Sequence, residues 1–188
     1  MRNSICLPRI ALLFCFLFTA SFSVNSGWNP NDEQAKDQGV GDDDVAQTIA
    51  TFKSKDPGIK KFFDQAHGYA VFPTVGKGGI GIGGAYGKGK VYEKGKYIGD
   101  TSLSQVTIGF QLGGQAYSEV IFFGTKHALD DFTGGNFEFG AQVSAVAVTA
   151  GASADADYSG GVAVFTMAKG GLMYEASVGG QKFSFTRK

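Results

Sequence analysis

A glycine-rich tract places the strongest constraint on the fold of this chain. Residues 69–90 read YAVFPTVGKGGIGIGGAYGKGK, and the part from Gly76 onward is about half glycine. Glycine-rich loops that follow a strand are typical of nucleotide-binding sites, but such a loop must also open a helix, because the phosphates bind the free N–H groups at the helix N-terminus. Residues 87–95 (GKGKVYEKG) instead have the pattern of a strand between turns. The tract therefore predicts a hairpin in a curved sheet and excludes a nucleotide site.

Part of this tract is repeated later in the chain. The segment AVFPTVGKGGI at residues 70–80 recurs as AVFTMAKGGL at residues 163–172, one residue shorter. Two related hairpins explain the repeat. A lysine beside paired glycines can also form a turn whose N–H groups and ammonium converge on an anion, and the two interpretations are compatible. The candidate anion ligands are Lys77, Gly78, Gly79 and Lys169.

Hydrophobic periodicity predicts an α+β fold. Helical spacing is found over about residues 44–54 and 57–68, with Asp56 and Pro57 as a start signal for the second helix, and a third short helix is expected over residues 125–132. From Gly68 onward the period of two residues indicates strands, of which residues 137–150 read as a central one. We expect a curved or barrel-like antiparallel β-sheet of about eight strands, with short amphipathic helices packed on one side or end.

The first 23 residues have the layout of a secretory signal peptide. Arg2 and Arg9 precede an apolar run over residues 10–18, and small residues follow. The run is shorter than the ~20 residues that span a bilayer. We therefore expect export to the periplasm or the medium after cleavage, a flexible lead over residues 24–42, and a single domain over residues 43–188. Both cysteines lie in the signal peptide, so no disulfide is expected in the mature chain.

The charge of the chain is balanced in sum but uneven in distribution. Without residues 1–23, 15 basic and 17 acidic residues remain, which argues against a nucleic-acid partner. Residues 57–99, however, hold seven lysines and two acids. The basic and aromatic residues of the second predicted helix suit either a helix lying on its own core or a helix at a membrane surface. The membrane interpretation assigns lipid contacts to Lys60, Lys61, Phe62 and Phe63, together with Lys77, Lys88 and Lys90 of the glycine tract.

The sequence lacks the residue patterns of an enzyme. His67 and His127 are the only histidines, and neither has ligand-like neighbours that would suit a metal. No G-x-S-x-G nucleophile motif occurs. We therefore predict a non-enzymatic protein without a metal or cofactor.

Four long blocks of this sequence resemble one known family. They are residues 68–92, 101–123, 135–152 and 161–183, which begin GYAVFPTVGKGG, TSLSQVTIGFQL, GNFEFGAQVSAV and GVAVFTMAKGGL. Together they resemble the SYLF domain family, in its secreted bacterial branch, over about residues 43–185.

The resemblance implies a lipid-binding module. Eukaryotic members prefer phosphoinositides, and some also bind actin and carry SH3 or FYVE modules. No such module is recognisable here, and export argues against a cytosolic actin partner. We therefore expect this chain to recognise anionic phospholipid headgroups or a membrane surface. The alternative is a small outer-membrane β-barrel or structural envelope protein, since eight alternating strands match the smallest such barrels.

Overall fold

A computed structural model describes residues 39–80, 82–108, 113–135, 137–140, 143–169 and 178–188. The predicted signal peptide and most of the predicted lead lie outside the described residues. The elements follow one another as α1 (Asp42–Lys55), a 3-10 turn (Pro57–Ile59), α2 (Lys60–Gln65), β1 (Gly68–Ile80), β2 (Ile82–Glu93), β3 (Lys96–Ile108), β4 (Gly113–Phe123), α3 (Lys126–Thr133), β5 (Phe137–Glu138), β6 (Ala145–Ala147), β7 (Val162–Ala168) and β8 (Lys182–Arg187).

The strands of the described residues form one eight-stranded sheet in the order β5-β8-β3-β2-β1-β4-β7-β6. Neighbouring strands are antiparallel, except that β6 and β7 are parallel. The predicted α+β class, with a curved sheet of about eight strands, is confirmed. The glycine tract forms β1 and β2 of a hairpin, as predicted, and these two strands lie in the middle of the sheet.

The segment 137–150 is not the central strand that its apolar pattern predicted. Its described residues contribute only β5 and β6, which lie at opposite edges of the sheet. Its apolar residues serve two different clusters, because Val143 packs with the core on one side of the sheet and Val148 with the core on the other. An apolar pattern on both faces therefore did not identify a central strand here.

Apolar side chains cover both faces of the sheet. On one face, which we call the α3 face, Leu129 and Phe132 of α3 pack against residues such as Phe72 and Ile121. On the other, the α1 face, Val45 and Phe52 of α1 pack on the sheet. The sheet side of this second cluster consists of Val71, Val120, Phe122, Ala163, Phe165 and Met167. Helices therefore cover both faces of the sheet, whereas the sequence predicted them on one side or end.

Pro73 interrupts β1 in the middle of the sheet. Its ring nitrogen has no hydrogen to donate, and a proline inside a central strand is accommodated at a bulge. The pairing of β1 with β2 shifts between Val71 and Thr74, and the pairing with β4 shifts between Phe72 and Val75. One residue is thus inserted into β1, and the alternation of its side chains between the two faces changes at this point.

The repeated segments lie on either side of β4. Ile121 of β4 pairs with Ala70 of β1 on one side and with Val164 of β7 on the other. The copies are therefore offset by one residue, so that Phe72 faces α3 whereas Phe165 packs with α1. The second hairpin predicted from the repeat requires residues 170–177, which lie outside the described residues.

Asp56 connects the helices to the rest of the domain. Its buried carboxylate accepts hydrogen bonds from the N–H groups of Gly58, at 3.0 Å, and of Ser153, at 2.7 Å. The predicted capping role of Asp56 before Pro57 is confirmed. Burial opposes ionisation of this carboxyl, but hydrogen bonds from Ser153 and Gly58 outweigh that effect and lower its pKa. The carboxylate therefore contributes stability that is lost as the pH falls through this lowered pKa.

Replacing Asp56 with alanine should destabilise the domain by roughly 2–4 kcal/mol, because a helix cap is lost and a buried N–H group loses its partner. Urea unfolding followed by circular dichroism measures the change. Asp64→Ala is the matched control, since Asp64 is exposed on α2 and should leave the unfolding midpoint nearly unchanged. Equal midpoints for the two variants would contradict this role of Asp56.

Candidate functional site

A basic cleft opens on the α1 face of the sheet. It has a volume of about 620 Å³ and lies between α1, the bulge of β1, β2 and the end of β7. Three lysines line it, namely Lys55 of α1, Lys88 of β2 and Lys169, which directly follows β7. One carboxylate, that of Asp44, lines it as well. The lining groups therefore carry a net positive charge, which favours an anionic ligand.

The bulge of β1 determines what lies at the centre of the cleft. Because of the bulge, Thr74 pairs with Lys88 of β2, which places both residues on the same face of the sheet. The ammonium group of Lys169 donates a hydrogen bond to Oγ1 of Thr74 over 2.7 Å. The hydroxyl of Ser118 donates a hydrogen bond of 2.7 Å to the carbonyl oxygen of Pro73, which fixes the bulge from the β4 side. The hydroxyl of Thr74 thus accepts from the ammonium of Lys169, and Lys88 lies beside Thr74 on the same face.

Helix α1 forms the other wall of the cleft. Asp44, Thr48, Thr51 and Lys55 line it at helical spacing, on the side of α1 next to its buried apolar residues. Lys55 was not predicted as a site residue, although this polar stripe at intervals of three and four residues was visible in the sequence. Two of the predicted residues, Lys88 and Lys169, are brought together in the cleft.

Lys77 lies on the opposite face of the sheet from Lys88 and Lys90. It pairs with Ala85, whose side chain belongs to the core on the α3 face. Without the extra residue at Pro73, Lys77 would lie on the α1 face beside the other two lysines. The interpretation of the tract as one cationic surface missed this change of face.

Gly78 and Gly79 do not form the anion-binding turn that the sequence suggested. Both are strand residues, paired with β2 on one side and with β4 on the other. In such a position the backbone N–H groups serve the sheet and do not converge on a ligand. These two residues therefore do not belong to the candidate site.

Lys90 is engaged within the protein. It forms an ion pair with Asp42 in the first turn of α1, and its ammonium lies 4.9 Å from the centre of the Tyr97 ring. The hydrogen bond and the charge of this pair raise the pKa of Lys90 and lower that of Asp42. Lys90 thus anchors α1 to β2, and it is not among the residues that line the cleft.

The aromatic residues of α2 face the protein. Phe62 is only 3% exposed, and its ring lies 4.8 Å from that of Phe165 and 5.5 Å from that of Phe122. Phe63 is half-buried and packs edge-on against Phe122 at 4.7 Å. Lys60 and Lys61 are exposed, but neither lines the cleft. Of the two interpretations of this helix, its packing corresponds to the one in which it lies on its own core.

Phe62→Ala should destabilise the domain by about 3–5 kcal/mol, because it leaves a cavity between α2 and the sheet. Lys60→Ala, two residues away on the same helix, should change stability by less than about 0.5 kcal/mol. Thermal unfolding of both variants checks this difference. A stable Phe62→Ala protein would mean that the ring is not part of the core in solution.

Comparison with known proteins shows which family this chain resembles. The model of the Ysc84 family, described as "Las17-binding protein actin regulator", matches residues 104–188. The predicted resemblance to the SYLF family is confirmed. Among curated proteins, Beta cell expansion factor A of Aeromonas veronii is 29% identical over 173 residues, which cover 89% of this chain. The aligned region is 64% of that relative's own length.

The cleft lies only partly within the residues that the family model matches. Lys169 lies within residues 104–188, whereas Thr74 and Lys88 belong to the β1–β2 hairpin before it and Lys55 to α1. The described residues contain no group of three or more side chains that could hold a metal ion. No helix in the described part of the chain is long and apolar enough to cross a membrane.

A buried carboxyl lies on the α3 face of the sheet. Glu119 is fully buried in β4, and the side-chain amide of Gln181 donates to its Oε2 atom at 3.0 Å and to the hydroxyl of Tyr117 at 3.2 Å. Burial raises the pKa of Glu119 from 4.5 to about 8, which the hydrogen bond from Gln181 opposes only in part. Glu119 is therefore largely protonated at neutral pH. Sequence analysis missed this group, since a single glutamate within a strand gives no signal of burial.

The raised pKa of Glu119 predicts that stability falls as the pH rises from about 4.5 to about 8, because over this interval the folded chain holds a proton that the unfolded chain has released. Glu119→Gln removes the titration while keeping the shape of the side chain. The difference in urea midpoint between variant and wild type should therefore increase in favour of the variant from pH 5.5 to pH 8.5. A constant difference would show that the carboxyl does not titrate in this range.

Proposed function

We propose that this SYLF protein is a non-enzymatic binding module for anionic lipid headgroups, exported from the cell, and that the basic cleft holds the headgroup. The single observation that carries the proposal is that Lys55, Lys88 and Lys169 line one cleft, in which Lys169 donates a hydrogen bond to the hydroxyl of Thr74. The resemblance to the SYLF family supports a binding module whose partner is related to lipid or to actin.

The chemistry of the cleft suits a phosphate ester. Ammonium groups and a hydroxyl donate hydrogen bonds to phosphate oxygens, and charged donors give the stronger bonds. Each lysine near an anionic membrane surface contributes about 1 kcal/mol, an effect that salt screens. The carboxylate of Asp44 repels the ligand in part, so the three lysines provide the net attraction.

Co-sedimentation with vesicles tests this function. Vesicles of phosphatidylcholine alone are compared with vesicles containing phosphatidylglycerol, at low and at physiological salt. Wild-type protein should bind the anionic vesicles more tightly, and Lys55→Gln/Lys169→Gln should weaken that binding about tenfold or more at low salt. The matched control is Lys94→Gln/Lys96→Gln, which makes the same charge change in exposed residues at the turn between β2 and β3.

Two results would contradict the proposal. One is equal binding to neutral and anionic vesicles, and the other is an equal effect of the cleft variant and its charge-matched control. The description of the matching family favours an actin-related partner as the second candidate. Co-pelleting with filamentous actin, without binding to either kind of vesicle, would support that candidate instead.

A further inference from the structure

Three large apolar side chains are exposed together on the α1 face, beyond the part that the helices cover. They are Ile82, Tyr86 and Val106, which are 71%, 55% and 77% exposed. All three belong to β2 and β3, and the pairing of Gly84 with Val106 and of Tyr86 with Ser104 places them next to one another on one surface. We call this surface the hairpin tip, since it adjoins the turn between β1 and β2.

On the β1 side, the hairpin tip adjoins glycine residues. On the same face of β1, the residues that pair with Tyr86 and Gly84 are Gly76 and Gly78. Ile82 lies in a strand that is paired with both β1 and β3, so its backbone groups have partners within the sheet. A hydrogen-bonded surface of this kind can enter an apolar medium without leaving backbone donors and acceptors unsatisfied.

Along β2, the order of the side chains on this face matches the order of polarity from the acyl chains to the headgroups of a bilayer. From the tip inward, β2 presents Ile82, then Tyr86, then Lys88 of the cleft. At about 3.3 Å per residue, Ile82 lies roughly 13 Å beyond Tyr86 and roughly 20 Å beyond Lys88 along the strand. Acyl chains favour aliphatic residues, the interface favours tyrosine, and lipid phosphates favour lysine.

Lysines on neighbouring strands lie at the level of Tyr86. The N–H group of Lys169 bonds to the carbonyl of Ala116, and Ala116 pairs with Gly76, the partner of Tyr86. Lys77, on the α3 face, pairs with Ala85, the residue next to Tyr86. Cations on both faces of the sheet thus lie at one level, where headgroups would be if Tyr86 were at the membrane interface.

We propose that the hairpin tip inserts into the membrane, with Ile82 and Val106 among the acyl chains, Tyr86 at the interface and the basic cleft at the headgroups. This rests on the proposed function and goes further, because it assigns an orientation: β2 enters the bilayer end-on, and α1 remains outside it. The partner that the tip contacts is the lipid bilayer itself, since the apolar surface of the tip continues directly into a cleft that suits lipid phosphate.

A fluorescence experiment on the full chain tests this orientation. Trp28 is replaced by phenylalanine, and a single tryptophan is introduced as Ile82→Trp at the tip or as Thr186→Trp at a control position. Thr186 is exposed on β8 and pairs with Asp100, which in turn pairs with Lys90, so it lies far from the tip on the sheet. Vesicles contain phosphatidylcholine and phosphatidylglycerol, with bromine atoms at defined depths in the acyl chains.

With these vesicles, tryptophan at position 82 should show a blue shift of its emission and strong quenching by the bromines, whereas tryptophan at position 186 should show neither. If both proteins sediment with the vesicles and position 82 is not quenched, the orientation is wrong and the lipid-binding function stands. If neither protein sediments with any vesicle, both proposals are overturned. Quenching at both positions would also contradict insertion by the tip alone.

A second pair of variants measures how much the tip contributes to affinity. Ile82→Ser/Val106→Ser should weaken binding about tenfold or more on vesicles with and without phosphatidylglycerol, since the loss is of apolar contact. The cleft variant Lys55→Gln/Lys169→Gln should instead weaken binding mainly on the anionic vesicles. Exposed serines in these strands leave the core intact, and circular dichroism confirms the fold of each variant. Unchanged affinity of the serine variant would overturn the insertion.

Discussion

Pro73 cannot donate a hydrogen bond, yet it lies in β1, which has a strand on each side. The sheet accommodates it with a bulge, and the shift in pairing occurs against both β2 and β4. This extra residue decides the face on which every later side chain of β1 lies. It brings Thr74 beside Lys88 at the centre of the cleft and sends Lys77 to the α3 face. The candidate site therefore depends on Pro73, which has no N–H group to donate to a neighbouring strand.

Two polar contacts hold α1 in the position that completes the cleft. At its first turn Asp42 pairs with Lys90 of β2, and just beyond its last turn the carboxylate of Asp56 accepts from the Ser153 backbone. Between them, Val45 and Phe52 are buried against the sheet. A helix fixed at both ends can present Lys55 at a defined place, whereas an exposed ion pair alone contributes little. The buried bonds of Asp56 are thus the stronger constraint on this wall of the cleft.

Local patterns in the sequence predicted the elements well but not how they face one another. The sequence predicted the cap at Asp56, the helix after Thr125 and the hairpin of the glycine tract, because each depends on residues close in sequence. The residues of the candidate site were predicted only in part. Lys88 and Lys169 were identified, but Lys55 was not. Lys77 was grouped with Lys88 and Lys90, because the change of face at the bulge of β1 is not visible in the sequence. Burial of Phe62 depends on contacts with β4 and β7, which no local pattern contains.

Two glycines of the tract, Gly89 and Gly76, differ in the space that a side chain would have. On the α3 face, a Cβ atom at Gly89 would come within 2.6 Å of the Val71 carbonyl oxygen and 2.7 Å of the Phe72 ring, so the packing beside the bulge requires glycine. On the α1 face, a Cβ atom at Gly76 would meet nothing within 4 Å, so packing makes no such demand. Glycine inside a strand weakens the sheet, so neither packing nor sheet stability explains why a glycine occupies position 76. A surface free of side chains beside Tyr86 and Lys169 is what a closely approaching ligand needs, and it connects the cleft with the hairpin tip.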